Sequence, residues 1–176
     1  MIGALSCESV AAVSAKRRLI VGIGEYAVSN DKTSVIVTHA LGSCVAVCLW
    51  DPGAKVAGLI HVLLPDSRIN PERAQAQPAA FADTGIPLLF RTAYDYGVQK
   101  KRCQVRLIGG ADVTGIGAGA GSVGKRNILA ARALLWKNGV MVQREAVGGT
   151  IARTVALEVE GGRIQVSSGR ETVQVL

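Results

Sequence analysis

"GSCVAVCLWDPGAKVAGLIH", residues 42–61, is the stretch that decides the fold. Two apolar segments flank the sequence DPGA at residues 51–54, and proline with glycine between apolar runs is typical of a hairpin loop. The stretch also holds Cys44, Cys48 and His61, which are two of the four cysteines and one of the two histidines of the chain. It therefore predicts an antiparallel pair of strands that carries a thiol and an imidazole.

The loop position sets the register of this pair. A four-residue loop over 51–54 makes Trp50 face Lys55, and counting back along both strands then makes Cys44 face His61. Directly opposed residues lie on one face of the sheet with Cβ atoms about 4.5–5.5 Å apart. We therefore expect the two side chains to meet, provided that no bulge or register slip separates them.

A cysteine beside a histidine can act as a nucleophile. A free thiol is mostly protonated at neutral pH, and an adjacent imidazole can take its proton. Cys48 lies nearer the predicted turn and is interpreted as packing, while His39 is a competing imidazole that lacks the cross-strand position. Gly42 and Ser43 precede the candidate nucleophile and are expected to offer backbone N–H groups to an oxyanion.

Composition limits the class of protein. The 176 residues suffice for one domain or for two small ones, and a composition of 49% hydrophobic but only 4% aromatic residues predicts an aliphatic core. No apolar run approaches the roughly 20 residues of a membrane span, and the N-terminus lacks the order of a secretory signal, so a cytoplasmic protein is expected. Four cysteines without a C-x-x-C pair predict neither a disulfide scaffold nor a zinc site. The net charge of +7 suits either an acidic partner or a solubility surface, and nucleic-acid binding would rest on charge alone.

The order of elements predicts an α+β fold. Residues 1–17 are expected to form a mobile extension, 18–170 a single domain and 171–176 a C-terminal tail. About eight strands are predicted, with one continuous strand over 19–29 and a hairpin around Gly161-Gly162. Two helices are predicted over 81–98, capped by Asp83 or Thr84, and over 125–139.

A glycine-rich segment resembles a phosphate-binding loop only in part. "GAGSVGKR", residues 119–126, lacks the Ser or Thr that follows the lysine in such loops, and no apolar strand precedes it. The segment is interpreted as the connection that caps the second helix.

Six short blocks in the chain carry a family resemblance. In order they are "THALGSCVAVCLWD", "GLIHVLLP", "FADTGI", "IGGA", "VGKRN" and Gly148-Gly149 with Arg153. Over residues from about 19 to 168 they resemble the CheD family, the chemoreceptor glutamine deamidases. The resemblance implies a three-layer α/β/β sandwich, with a mostly antiparallel, hairpin-rich sheet core and about two long helices. It also implies Cys44 as nucleophile, His61 as its partner and Thr38 as the third catalytic residue.

The resemblance further implies a hydrolase in chemotaxis signal transduction. Such an enzyme converts receptor glutamines to glutamates through a thioester on the cysteine, without a cofactor or metal. The implied partners are the cytoplasmic helices of chemoreceptors and a CheC-type phosphatase, with no nucleic acid and no membrane insertion. The alternative is a mainly non-catalytic adaptor that binds receptors and the phosphatase.

Overall fold

The computed structural model describes residues 16–113, 121–168 and 171–175. These residues form ten strands and three α-helices. The strands are β1 (Arg17–Ile20), β2 (Tyr26–Ser29), β3 (Ser34–Leu41), β4 (Val45–Asp51), β5 (Val56–Val62), β6 (Gln104–Gly109), β7 (Val142–Val147), β8 (Arg153–Glu158), β9 (Ile164–Ser168) and β10 (Glu171–Val175). The helices are α1 (Pro71–Ala76), α2 (Ala82–Asp95) and α3 (Val123–Lys137), and short 3-10 turns occupy Ser67–Ile69 and Pro78–Ala80. None of the helices described is long and apolar enough to cross a membrane.

Two five-stranded sheets and a helical layer make the predicted α/β/β sandwich. The central sheet has the order β2-β5-β4-β6-β7 and the outer sheet the order β1-β3-β8-β9-β10. Only β1–β3 and β6–β7 are parallel among the strand pairs described. Side chains of β4 alternate, so Val47 and Leu49 pack with α2 and α3, while Ala46 and Cys48 pack against the outer sheet. The fold prediction is confirmed.

The single strand predicted over 19–29 is wrong. The segment contains β1, which belongs to the outer sheet, and β2, which belongs to the central sheet. Between them Gly24 adopts φ +72, a left-handed conformation that suits glycine and lets the chain turn from one sheet to the other. The N–H of Gly24 donates to the carbonyl of His61, so this crossing is tied to the end of β5.

The hairpin loop lies one residue later than predicted. Asp51, which was predicted to lie in the loop, pairs with Val56 instead, and the loop is therefore 52–55. The Asp51 carboxylate accepts the N–H groups of Gly53 and Ala54, and its carbonyl accepts that of Lys55, which adopts φ +55. Strand β4 is thereby one residue longer than predicted, and β5 is one residue shorter.

This shift corrects the predicted register by two residues. Trp50 pairs with Ala57 instead of Lys55, and His61 pairs with Ala46 instead of Cys44. The last pair of the β4–β5 ladder is Val45 with Val62, so Cys44 comes just before it. A shift of two preserves the face of each side chain, because side chains alternate with a period of two. Cys44 accordingly packs with Ala46 between the sheets.

The helix boundaries also differ from the predicted ones. Helix α2 begins at Ala82 without a side-chain cap, and the Asp83 carboxylate instead accepts the N–H and hydroxyl of Ser67. Helix α3 begins two residues earlier than predicted, with Ser122 as its cap. Residues 171–175 form β10 against β9, in the segment expected to be a tail. Of the expected extension over 1–17, residues 1–15 lie outside the described residues.

Candidate active site

The three candidate residues lie between the two sheets. Cys44 immediately precedes β4, His61 is the next-to-last residue of β5, and Thr38 belongs to β3 in the outer sheet. Cys44 is 7% exposed, His61 1% and Thr38 0%. The Thr38 hydroxyl is 2.7 Å from Nδ1 of His61, so one hydrogen bond links the sheets at this point.

The hydrogen bonds of Thr38 fix the tautomer of His61. The Thr38 hydroxyl has one proton and is 2.8 Å from the carbonyl oxygen of Val21, which can only accept. The hydroxyl therefore donates to Val21 and accepts from Nδ1–H of His61. A neutral imidazole protonated at Nδ1 carries a lone pair at Nε2. This Nε2 is buried and has no hydrogen-bond partner among the described residues, so it remains available to take a proton.

Burial keeps the thiol and the imidazole neutral. It raises the pKa of the Cys44 thiol, against a smaller lowering by the hydrogen bond from its own backbone N–H. It lowers the pKa of His61 to about 4. At neutral pH the resting site therefore holds a thiol and an uncharged imidazole rather than a thiolate and an imidazolium.

The backbone around Cys44 is held by the residues that end β6 and follow it, 109–111. The N–H of Gly110 donates to the carbonyl of Cys44 and that of Ala111 to the carbonyl of Gly42, both at 2.7 Å. Gly109 has φ +107, and a Cβ there would collide with the Cys44 carbonyl oxygen. The block "IGGA" thus provides the close approach that the candidate nucleophile's segment requires.

One predicted oxyanion donor is already used. The N–H of Gly42 donates to the carbonyl of Ala40 at 2.9 Å, and Ala40 adopts φ +56 within an irregularity of β3. Bulges of this kind are frequent beside active sites, where they redirect the chain. The N–H of Gly42 is therefore already paired and does not serve as an oxyanion donor in this arrangement.

Asn127 is a polar residue of the site that the sequence reasoning did not select. Its side chain is fully buried, and Nδ2 donates to the carbonyls of Ser43 and Leu63 at 2.9 Å each. The available signal was its position, because it falls on the apolar stripe of α3 with Ile128 and Ala131. An amide on such a stripe must find buried partners.

The competing candidates lie elsewhere. His39 is exposed, because it points away from Thr38 on the opposite face of β3. Cys48 is fully buried in the core between the sheets, and this burial raises the pKa of its thiol to about 12. Within the described ranges, no group of three or more His, Cys, Asp or Glu side chains could hold a metal ion. Part of the glycine-rich segment 119–126 is outside those ranges, and in the remainder Ser122 accepts the N–H of Lys125 as a helix cap.

Comparison with known proteins places the chain in a family. A family model described as CheD chemotactic sensory transduction matches residues 63–168. The chain belongs to the CheD family. A relative from Syntrophus aciditrophicus, named probable chemoreceptor glutamine deamidase CheD 1, is 44% identical over 85% of this chain and 93% of its own length. A CheD 2 relative of the same description from Anaeromyxobacter dehalogenans is 48% identical over the same shares of the two chains.

Relatives named CheD also occur in archaea, and a solved structure of low sequence identity shares the fold. A probable chemoreceptor glutamine deamidase CheD from Thermococcus kodakarensis is 39% identical over 85% of this chain and 94% of its own. The crystal structure of Neisseria meningitidis protein NMB0706 superposes with a TM-score of 0.52 at 13% identity, covering 82% of this chain and 69% of the other. That likeness concerns the fold alone.

Proposed function

We propose that this protein is a chemoreceptor glutamine deamidase that uses Cys44 as nucleophile, His61 as proton acceptor and donor, and Thr38 to orient His61. The observation that carries the proposal is the buried hydrogen bond between Thr38 and His61. It leaves the Nε2 lone pair free in the layer between the sheets, where Cys44 also packs. The names of the relatives supply the substrate class, a glutamine side chain on a chemoreceptor.

The first half of the reaction forms a thioester. Nε2 of His61 takes the thiol proton, and Sγ of Cys44 attacks the carboxamide carbon to give a tetrahedral oxyanion. The carbon–nitrogen bond then breaks, and the imidazolium returns its proton to the departing nitrogen as ammonia. A neutral thiol and a neutral imidazole in the resting site suit this order of steps, because the proton then moves after the substrate is in place.

The second half releases glutamate. Nε2 of His61 takes a proton from water, whose oxygen attacks the thioester carbon. The carbon–sulfur bond breaks, and the proton passes to Sγ of Cys44. The sum is one glutamine and one water converted to one glutamate and one ammonium ion, because ammonia takes up the proton of the new carboxylic acid. Thr38 keeps Nδ1 protonated throughout, so that Nε2 acts first as base and then as acid.

Two further elements of the proposal rest on the family resemblance. A CheC-type phosphatase is proposed as a second protein partner that competes with the receptor. The cytoplasm is proposed as the compartment, because the signalling helices of chemoreceptors are cytoplasmic. The net charge of +7 is consistent with acidic helices as substrate.

The test is site-resolved mass spectrometry of a receptor cytoplasmic domain incubated with the protein. Wild type is expected to convert particular glutamines to glutamates, and Cys44→Ala and His61→Ala are expected to lose the conversion. Cys48→Ala and His39→Ala are the matched controls, because they remove the other cysteine of the hairpin and the other histidine. Conversion by Cys44→Ala at the wild-type rate would refute the mechanism.

A further inference from the structure

Asn127 contacts the backbone on both sides of the candidate site. Ser43, whose carbonyl it binds, directly precedes Cys44, and Leu63 follows His61 by two residues. Its amide orientation is fixed by the partners, because a flipped side chain would place an oxygen against two carbonyl oxygens. Both protons of Nδ2 are therefore used to hold the two segments.

These contacts begin where the sheet ladder ends. The β4–β5 pairing stops at Val45 with Val62, and neither Ser43 nor Leu63 has a partner in that ladder. A side-chain amide from α3 thus joins the two segments beyond the last backbone pair, next to the candidate nucleophile. Helix α3 is itself held there, since a Cβ on Gly124 would collide with the carbonyl of Gly110.

Three consecutive carbonyls around Cys44 accept hydrogen bonds from other parts of the chain. That of Gly42 accepts from Ala111 and that of Cys44 from Gly110. That of Ser43 accepts from Asn127 alone among the contacts described. In a trans peptide the carbonyl and the following N–H point in opposite directions. Asn127 therefore sets the direction of the Cys44 N–H, because it holds the carbonyl at the other end of the same peptide.

We propose that Asn127 is a positioning residue that fixes the Ser43–Cys44 peptide so that the backbone N–H of Cys44 holds the oxyanion of the tetrahedral intermediate. This inference rests on the proposed function. The oxyanion forms on the oxygen bonded to the carbon that Sγ attacks, so a backbone donor on the same residue is within reach of it. Asn127 is fully buried and acts only through the peptide that it holds.

The role predicts a specific kinetic signature. Asn127→Asp keeps the size of the side chain but loses the two-proton donor that both carbonyls require. Removing an oxyanion donor costs about 10²–10³ in kcat, so we expect a misdirected one to cost at least about 10-fold, with KM for the receptor domain within about 3-fold of wild type. Alkylation of Cys44 by iodoacetamide forms no oxyanion, and its rate is expected to change by less than about 3-fold.

The experiment compares hydrolysis and alkylation in the same variants. Asn138→Ala is the matched control, because Asn138 also donates a side-chain amide proton to a backbone carbonyl of α3, at the opposite end of the helix. Asn127→Ser retains one donor, so its kcat is expected to lie between those of wild type and Asn127→Asp. It serves as the test variant if Asn127→Asp does not fold.

The outcomes separate this inference from the proposed function. A folded Asn127→Asp with wild-type kcat overturns the inference while the proposed function stands. Hydrolysis and alkylation that change by the same factor also overturn it, since they indicate general loosening of the site. Wild-type protein without Cys44-dependent deamidation overturns both.

Discussion

The electrostatic state of His61 follows from where its polar atoms lie. The imidazole is 1% exposed, and its one hydrogen bond within the described part of the chain is to a hydroxyl that already donates elsewhere. No carboxylate among the described residues holds Nδ1, so an imidazolium would be stabilised there only by the neutral Thr38 hydroxyl in a desolvated place. In the proposed mechanism the residue acts as a base at neutral pH, and it carries a charge only while it holds a proton in transit.

The same burial predicts how stability depends on pH. The unfolded chain binds a proton at His61 near the ordinary pKa of 6.5, and the folded protein only near 4. Between these values the unfolded state binds more protons, so the free energy of unfolding decreases as the pH falls from 6.5 to 4. The loss from this group is at most about 1.4 kcal/mol per pH unit.

Urea unfolding of wild type and His61→Gln at several pH values measures this effect. Glutamine does not titrate, so the variant is expected to lose less stability than wild type over the same interval. His39→Gln, which alters an exposed histidine, is expected to keep the wild-type slope. Parallel curves for wild type and His61→Gln would contradict the assignment.

At the scale of elements, the site depends on close backbone packing at the ends of strands. The end of β6 lies directly against the carbonyl of Cys44, and it does so because Gly109 has no side chain. The neighbouring Gly110 donates to the same carbonyl. The position of Cys44 is therefore determined by β6 and the segment after it as well as by the hairpin.

Gly109→Ala is expected to disrupt this packing. The substitution introduces both a strained left-handed alanine and a collision with the Cys44 carbonyl. Gly97→Ala is the matched control, because Gly97 also has a positive φ, +87, but a Cβ there meets nothing within 4 Å. We expect the control to cost about 1 kcal/mol in urea unfolding and to keep its deamidation activity. Gly109→Ala should lose clearly more stability and most activity, and equal effects in the two variants would refute the packing argument.

The hairpin illustrates which features of an element a sequence determines. The predicted four-residue loop placed Cys44 and His61 on the same face correctly, although its register was wrong by two residues. A shift of two residues leaves the face of every side chain unchanged, so the apolar pattern could not reveal the error. The deciding contact is a buried carboxylate, Asp51, which binds the loop and also Arg102, 51 residues further along the chain. A contact at that distance has no local signature.

At the scale of the molecule, the layers are held together by contacts between distant segments. Trp50 of the central sheet donates its indole N–H to the carbonyl of Val159, which follows β8 of the outer sheet, at 2.9 Å. Gly162 gives the indole ring room, because a Cβ there would collide with it. The layer order follows from the sequence resemblance and the alternation of β4. The long-range partners Asn127 and Arg102 do not, since nothing within their own segments indicates what they bind.

These contacts of Trp50 between the two sheets predict one cooperative unfolding transition for the single domain expected over 18–170. The chain has two tryptophans, and Trp136 is 83% exposed on α3. In Trp136→Phe the fluorescence of Trp50 reports the contact between the sheets alone. Its urea midpoint is expected to coincide with that of far-UV circular dichroism. In the reciprocal variant Trp50→Phe, both signals are expected to shift to lower urea together. A dichroism transition that continues after the Trp50 signal is complete would show that the layers unfold separately.

The placement of Thr38 in a different sheet from His61 has a consequence for the order of folding events. The β4–β5 hairpin closes over a four-residue loop, and hairpins of this kind form in about 1–10 μs. Strand β3 pairs within the outer sheet with β8, more than 100 residues away, and such pairings form slowly. A refolding chain would thus acquire the strand that carries His61 early and its correct imidazole tautomer late. Recovery of enzymatic activity would mark the docking of the two sheets, after most of the secondary structure had already returned.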